Sequence, residues 1–272
     1  MSPRVIVELD AGVAVVTLNR PDQHNALDLP MFERLSQLTD ELRTIRSLRA
    51  VVLAGNGPSF CAGLDVAGFG VNGAAYLDAL LAAGEGGATL AQRVVTGWAS
   101  VPVPVIAAVH GNCLGGGLQL ALGADIRVAE PDSKLSVLEI RWGLIPDMAI
   151  TWTLPGIVGY DTALELATTG RMFTGAEAHA LGMVTSLSSA PLTAALDLAR
   201  TIAGRSPDAV RAAKLVLRGA WSRDPATLLA EAAAQRTLIG SPNQAEAVRA
   251  ATARSSPAFG DPAADPSAGP AC

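Results

Sequence analysis

The sequence predicts an α/β fold, a single core of strands and helices followed by an all-helical C-terminal region. Three observations carry this. Short β-branched runs alternate with apolar segments at helical spacing as far as about residue 190. Beyond Pro191 only helical segments follow, each opened by a proline or ended by a glycine. The chain has 272 residues, 50% of them apolar, enough for one substantial core.

The elements read as follows. "RVIVEL" and "VAVVTL" flank "DAG", which is a hairpin signal. "NRPDQHNALD" is a loop, and Asp28 is placed to cap a helix with Pro30 in its first turn. Phe32, Leu35, Leu38, Leu42 and Ile45 recur at helical spacing, and "RAVVLAG" is a short buried strand ended by "NGP". Residues 66–76 are rich in Gly and Ala and read as irregular, ahead of a helix over roughly 77–96. A strand at 103–109 runs into a glycine turn and a buried helix. "DIRVAE" is a further strand. "KLSVLEIRWGLIPDMAI" holds a short strand, a loop and a helix start, "YDTALELATTG" is helical, and "MVTSLS" is a last strand. Residues 1–190 therefore form the core and residues 191–254 four helical segments. Residues 255–272, rich in Pro, Ala and Gly, are expected to be disordered.

Composition removes several function classes. The formal charge is −5 and no basic stripe occurs, so nucleic acid is not an expected partner. Cys61, Cys113 and Cys272 make neither a metal spacing nor an even framework; no metal is expected, and a reducing cytoplasm fits. The N-terminal "MSPRVIVELD" lacks the apolar run of a signal peptide. From Val101 to Ala124 there is no charged side chain, but Pro102, Pro104, His110, Asn112, Gln119 and five glycines interrupt the stretch. A strand, a turn and a helix explain it better than a membrane span.

Chemistry concentrates at two turns. In "GNCLGGGLQLALGADI" a strand passes into a helix through Gly115, Gly116 and Gly117. Such a turn exposes backbone N–H groups at a positive helix end, suited to an anion or a developing oxyanion; close helix–strand packing explains the glycines equally. The glycine spacing matches neither a dinucleotide nor a phosphate loop. "SFCAGLDV" is a second strand end with Gly63 at the turn. Two such turns could converge as an oxyanion hole, and no nucleophile elbow is present.

Taken together, "RPDQHNALD", "SFCAGLDV", "AAVHGNCLGGGLQLALGADIRVA" and "LEIRWGLIPDM" resemble the crotonase superfamily, the enoyl-CoA hydratase/isomerase family, in order and interval across about residues 5–190. The resemblance implies a crotonase-like spiral of ββα units with a helical C-terminal trimerisation region, assembled as a trimer or dimer of trimers. It implies an acyl-CoA thioester substrate, CoA being part of that substrate and no separate cofactor being needed. The backbone N–H groups of Leu64 and Gly116 would hold the thioester oxygen and stabilise an enolate. Gln23, His24 and Ala26 would line the CoA path and Ala62 would meet the adenine, with Gly63, Asp65, Gly115 and Trp142 completing the substrate site.

The family's hydratases carry two glutamates. Glu139 matches one, whereas Gln119 stands at the other position. A carboxamide is no general base, though it can orient a water or a substrate. Asp147 matches an aspartate of the dienoyl-CoA isomerases, which usually carry a further acid where this chain has Gln119. The single-glutamate Δ3-Δ2-enoyl isomerases suit the pattern as well.

Each assignment has a structural alternative: Glu139 as a surface charge beside Arg141, Asp147 as a helix cap, Gln119 as a satisfied buried amide, Trp142 as pocket wall or core. His110, Asp125 and Arg127 read as framework, and no sequence neighbour activates Cys61 or Cys113. The expected function is double-bond isomerisation with Glu139 as base. The alternatives are hydration with Gln119 orienting water and, from another class, a catalytically weak acyl-CoA-binding subunit. Residues 66–96, low in polar side chains, point to an apolar acyl tail.

Overall fold

The computed structural model describes residues 3–65, 73–84, 87–219 and 225–263. Strands β1 (Val5–Asp10) and β2 (Val13–Leu18) form the expected hairpin, with Asp10 opposite Val13. Its turn places Ala11 at φ 46° and Gly12 at φ 80°, the left-handed pair a two-residue hairpin requires. Helix α1 (Leu29–Thr44) is capped by Asp28, whose side chain accepts the Met31 N–H at 3.1 Å. Strand β3 (Ala50–Gly55) then pairs in parallel with β2.

The helix expected over residues 77–96 is two helices, α2 (Gly73–Leu81) and α3 (Leu90–Ser100). The break lies at the glycines: Gly87 has φ 82° and the Gly84 N–H reaches the Ala88 carbonyl at 2.9 Å. Thr89 and Gln92 restart the helix with a reciprocal capping box. Of the stretch read as irregular, residues 66–72 lie outside the described residues.

From β4 (Val105–Val109) onward the chain alternates between two sheets. β4 joins the large sheet, while β5 (Asn112–Leu114), not anticipated from sequence, joins a small one before α4 (Gly116–Leu122). β6 (Ile126–Ala129) returns to the large sheet and β7 (Lys134–Ser136) to the small one. A 3-10 turn (Glu139–Trp142) leads to α5 (Ile150–Thr153) and α6 (Tyr160–Thr169). Then come β8 (Phe173–Thr174), α7 (Gly175–Ala180) and β9 (Ser186–Leu187). Among the described residues the orders are β1-β2-β3-β4-β6-β9 and β5-β7-β8. Two strands and a helix per winding is the repeat that the resemblance implies.

The β-branched runs are continuous because both faces of the sheet are covered. Val51 and Leu53 of β3 enter the main core with Leu35, Phe60 and Trp98. Ala50, Val52 and Ala54 face the other way, onto Ala195 and Ala199 of α8 (Pro191–Ala203). Residues 191–254 divide by what they pack on. α8 closes the sheet, whereas α10 (Pro225–Leu238) and α11 (Pro242–Ala253) pack on α9 (Pro207–Gly219). Residues 255–263 have no helix or strand but are held: Arg49 binds the Gly260 carbonyl at 3.2 Å and Asp261 at 3.0 Å. Residues 264–272 lie outside the described residues. No helix among the described residues is long and apolar enough to cross a membrane.

Asp125 and Arg127 are framework. Arg127 is buried and donates to the carbonyls of Met183 at 2.5 Å and Ala124 at 2.6 Å. Asp125 accepts the Val105 N–H at 2.8 Å and pairs with Lys214 of α9 at 2.7 Å. Lys214 also donates to the carbonyls of Trp98 and Val103, so one buried cation ties α9 to the start of β4. Removing Lys214 deletes two hydrogen bonds to backbone carbonyls and leaves the solvent-accessible Asp125 without its partner. The Lys214→Met variant is expected to lose about 1 kcal/mol in urea unfolding, with part recovered in Lys214→Met/Asp125→Asn.

Candidate active site

The end of β3 is drawn inward by Asn25. This buried amide donates to the carbonyls of Asn56 at 2.9 Å, Ser59 at 2.8 Å and Phe60 at 3.2 Å. Cys61 then pairs in parallel with Cys113 of β5, and the chain turns at Gly63 with φ 93°. A Cβ on Gly63 would stand 2.7 Å from the Leu114 carbonyl oxygen and 3.5 Å from the Gly116 nitrogen, so the two glycine turns are in contact. Leu27 grips the first turn on both sides. Its N–H donates to the Gly63 carbonyl at 2.8 Å and its carbonyl accepts the Asp65 N–H at 3.0 Å. Leu64, between them, has an N–H with no backbone acceptor among the described residues.

The second turn is not a direct passage from strand to helix, because β5 intervenes. Gly115 sits at φ 50°, ψ −120°, and its N–H is held by the Ser136 carbonyl at 2.9 Å. Gly116 opens α4 with its N–H free of any acceptor among the described residues. Leu64 and Gly116 both line a cavity of about 700 Å³. Two unsatisfied N–H groups on one wall are suited to a developing oxyanion.

Glu139 is half-buried over the second turn; a Cβ on Gly115 would lie 3.1 Å from its Oε1. Gln119, fully enclosed, donates through Nε2 to Glu139 Oε1 at 2.7 Å and accepts the Met148 N–H on its Oε1 at 2.9 Å. Glu139 Oε2 is buried without a side-chain hydrogen-bond partner among the described residues. Burial pushes the Glu139 carboxyl above the usual carboxylate range, and the Asp147 charge adds to this; backbone N–H groups and Gln119 pull the other way. Asp147 is exposed on the loop ahead of Met148, and partial desolvation raises its pKa too. It caps no helix, since α5 begins behind Ala149 in the left-handed region with no side-chain cap.

Of the predicted site residues, Gln23, Ala26, Ala62, Gly63, Leu64, Asp65, Gly115, Gly116, Glu139 and Trp142 line the cavity. Gln119 stands behind Glu139. The His24 side chain is turned away: its Nδ1 is 2.9 Å from Ser59 Oγ, and Ser59 also accepts from Asn112 Nδ2. Consecutive left-handed residues, His24 and Asn25, impose that orientation. Asp65 pairs with Arg20 at 2.9 Å, and Arg20 also donates to the Ala26 carbonyl, so this pair ties the loop at Gln23–Ala26 to the first turn. Leu138 and Leu144 line the cavity unforeseen, and Met148 lies beneath Gly116, its Sδ 2.7 Å from where a Cβ would be. Cys61 and Cys113 are buried, and desolvation pushes the Cys61 thiol up to about 12, so neither serves as a thiolate. Among the described residues no three His, Cys, Asp or Glu gather as metal ligands.

Residues 8–261 match a family model described as enoyl-CoA hydratase/isomerase. The chain is 34% identical over 236 residues to the mitochondrial methylglutaconyl-CoA hydratase of Mus musculus, covering 84% of this chain and 72% of that one. It is 32% identical over 221 residues to the peroxisomal Δ(3,5)-Δ(2,4)-dienoyl-CoA isomerase of Arabidopsis thaliana, covering 76% and 78%. The crystal structure of a putative enoyl-CoA hydratase from Streptomyces coelicolor A3(2) superposes with a TM-score of 0.84 at 34% identity, covering 94% of each chain.

The raised pKa of Glu139 links the site to stability. A carboxyl whose folded-state pKa exceeds its unfolded value stabilises the fold below the ordinary carboxylate range. That contribution is lost as pH rises through the raised pKa. Glu139→Gln is therefore expected to melt above the parent at neutral pH, with the difference vanishing in acid, as scanning calorimetry across pH would show. Asp147→Asn should lower the Glu139 pKa and Gln119→Leu should raise it, each read by carboxyl NMR titration.

Proposed function

The chain belongs to the enoyl-CoA hydratase/isomerase family, and we propose that within it this protein moves a carbon–carbon double bond along the acyl chain of a CoA thioester, with Glu139 as the base. The observation that carries this reading is the state of Gln119. Both ends of its amide are committed, to Glu139 Oε1 and to the Met148 N–H, which leaves Glu139 as the titratable member of this pair and the one that lines the cavity. In this reading the N–H groups of Leu64 and Gly116 hold the thioester oxygen, which acidifies C2. Glu139 takes a proton from C2 of a 3-enoyl ester, the dienolate charge rests on the thioester oxygen, and the proton returns at C4 to give the 2-enoyl ester. The raised pKa of Glu139 suits a group that must both accept and return a proton. For a 3,5-dienoyl ester the proton returns at C6, and Asp147 is the second acid.

Hydration is the second reading, favoured by the hydratases among the relatives. It requires Glu139 to activate a water without a second glutamate at position 119. Assembly through the C-terminal helices is also proposed; Leu215 and Leu217 of α9 are 74% and 66% exposed, apolar area that packing around α9 would cover.

The purified protein with trans-2-enoyl, 3-enoyl and 3,5-dienoyl esters, read by chromatography with mass detection, separates these readings. Isomerisation gives products of unchanged mass from the 3-enoyl or dienoyl ester. A product heavier by one water from the 2-enoyl ester establishes hydration instead, and binding without turnover of any ester establishes an acyl-CoA binder. Glu139→Gln is expected to lose about 10²- to 10⁴-fold in kcat. Asp147→Asn should lose most activity only on the dienoyl ester.

A further inference from the structure

The cavity holds carboxylates and no cation. Among the described residues its ionisable lining is Asp65 and Glu139, and the Asp147 charge acts on Glu139 from the adjoining loop. The rest of the described lining, Gln23, Ala26, Ala62, Leu64, Leu138, Trp142 and Leu144 with three glycines, carries no ionisable side chain. Arg20 stands behind Asp65: its guanidinium pairs with that carboxylate at 2.9 Å and donates to the Ala26 carbonyl, and its side chain is 11% exposed. Arg141 lays its stem along Gly170, where a Cβ would stand 3.6 Å from its Cγ.

We infer that the acyl group accepted here is uncharged at its far end, and that the site rejects acyl chains ending in a carboxylate. The inference rests on the CoA-thioester reading of the cavity and deepens it to a substrate class. A terminal carboxylate set against Leu138 and Leu144 would gain no counter-ion from the lining and would meet the like charge of Glu139. A methyl terminus buries apolar area there instead. The discrimination is negative as well as positive: like charge excludes the wrong tail.

Hexanoyl-CoA and adipoyl-CoA have acyl chains of equal length, one ending in methyl and the other in carboxylate. Both are saturated, so their binding is independent of which reaction the enzyme performs. At neutral pH, calorimetry is expected to give hexanoyl-CoA the tighter binding by about ten-fold or more. Methyl-esterified adipoyl-CoA should recover most of that affinity, and Leu144→Lys should improve the binding of adipoyl-CoA. Equal or tighter binding of adipoyl-CoA to the parent protein would overturn the inference. Binding of neither thioester would overturn it together with the CoA reading. Hexanoyl-CoA binding as expected, with no double-bond movement in 3-hexenoyl-CoA, would remove the isomerase proposal and leave the substrate class standing.

Discussion

No side chain fits between the turn at Gly63 and the turn at Gly115, and the cavity exists because backbone meets backbone there. A Cβ on Gly63 would press on the Leu114 carbonyl, and one on Gly117 would strike the Cys61 carbonyl. That bare contact brings two N–H groups from distant parts of the chain onto one wall. Everything around it holds the contact in place: Leu27 brackets one turn, Ser136 anchors the other, and β5 and β7 tie the second turn to a small sheet. The parallel pairing of Cys61 with Cys113 sets both turns side by side at the carboxyl ends of their strands, which is where open α/β sheets leave room for a ligand.

On this scaffold the electrostatics are set by what the pocket withholds. Glu139 is desolvated, has one oxygen bonded to Gln119, and forms no ion pair among the described residues. A carboxylate in that state is poorly stabilised, so it takes up a proton more readily than a solvated one. The fold carries this as a local weakness, offset by the continuous core beneath. Gln119 also reaches the backbone at Met148 and so couples the carboxylate to the loop that bears Asp147.

Much of this was legible in the chain. The strands of the large sheet announced themselves because both of its faces are buried, leaving uninterrupted β-branched runs at β3 and β4. Asp28, the four late helices and the two glycine turns followed from cap, proline and glycine chemistry. Strands β5 and β8 are too short for a period of two to show, whereas β9 falls inside the run "MVTSLS" that reads as a strand. The break in the expected 77–96 helix was hidden by apolar continuity, although the Thr89–Gln92 box signals it. Glu139, Leu64 and Gly116 could be placed from motif and interval. The turning of His24 onto Ser59 could not, because it depends on two left-handed residues in succession. Leu138, Leu144 and Met148 reach the site through a 3-10 turn and the irregular loop after it, which leave no periodic trace.

The two-ended bonding of Gln119 also bears on descent. A glutamate at that position would keep the acceptor that the Met148 N–H uses and lose only the donor to Glu139, unless it carried a proton. Glutamine and glutamate codons differ in their first base alone. A lineage with this scaffold therefore stands a single nucleotide exchange away from a paired-carboxylate cavity, with the rest of the packed framework unchanged. Divergence of reaction within such a fold then needs no rebuilding of the turns, only the arrival or departure of one proton-bearing oxygen.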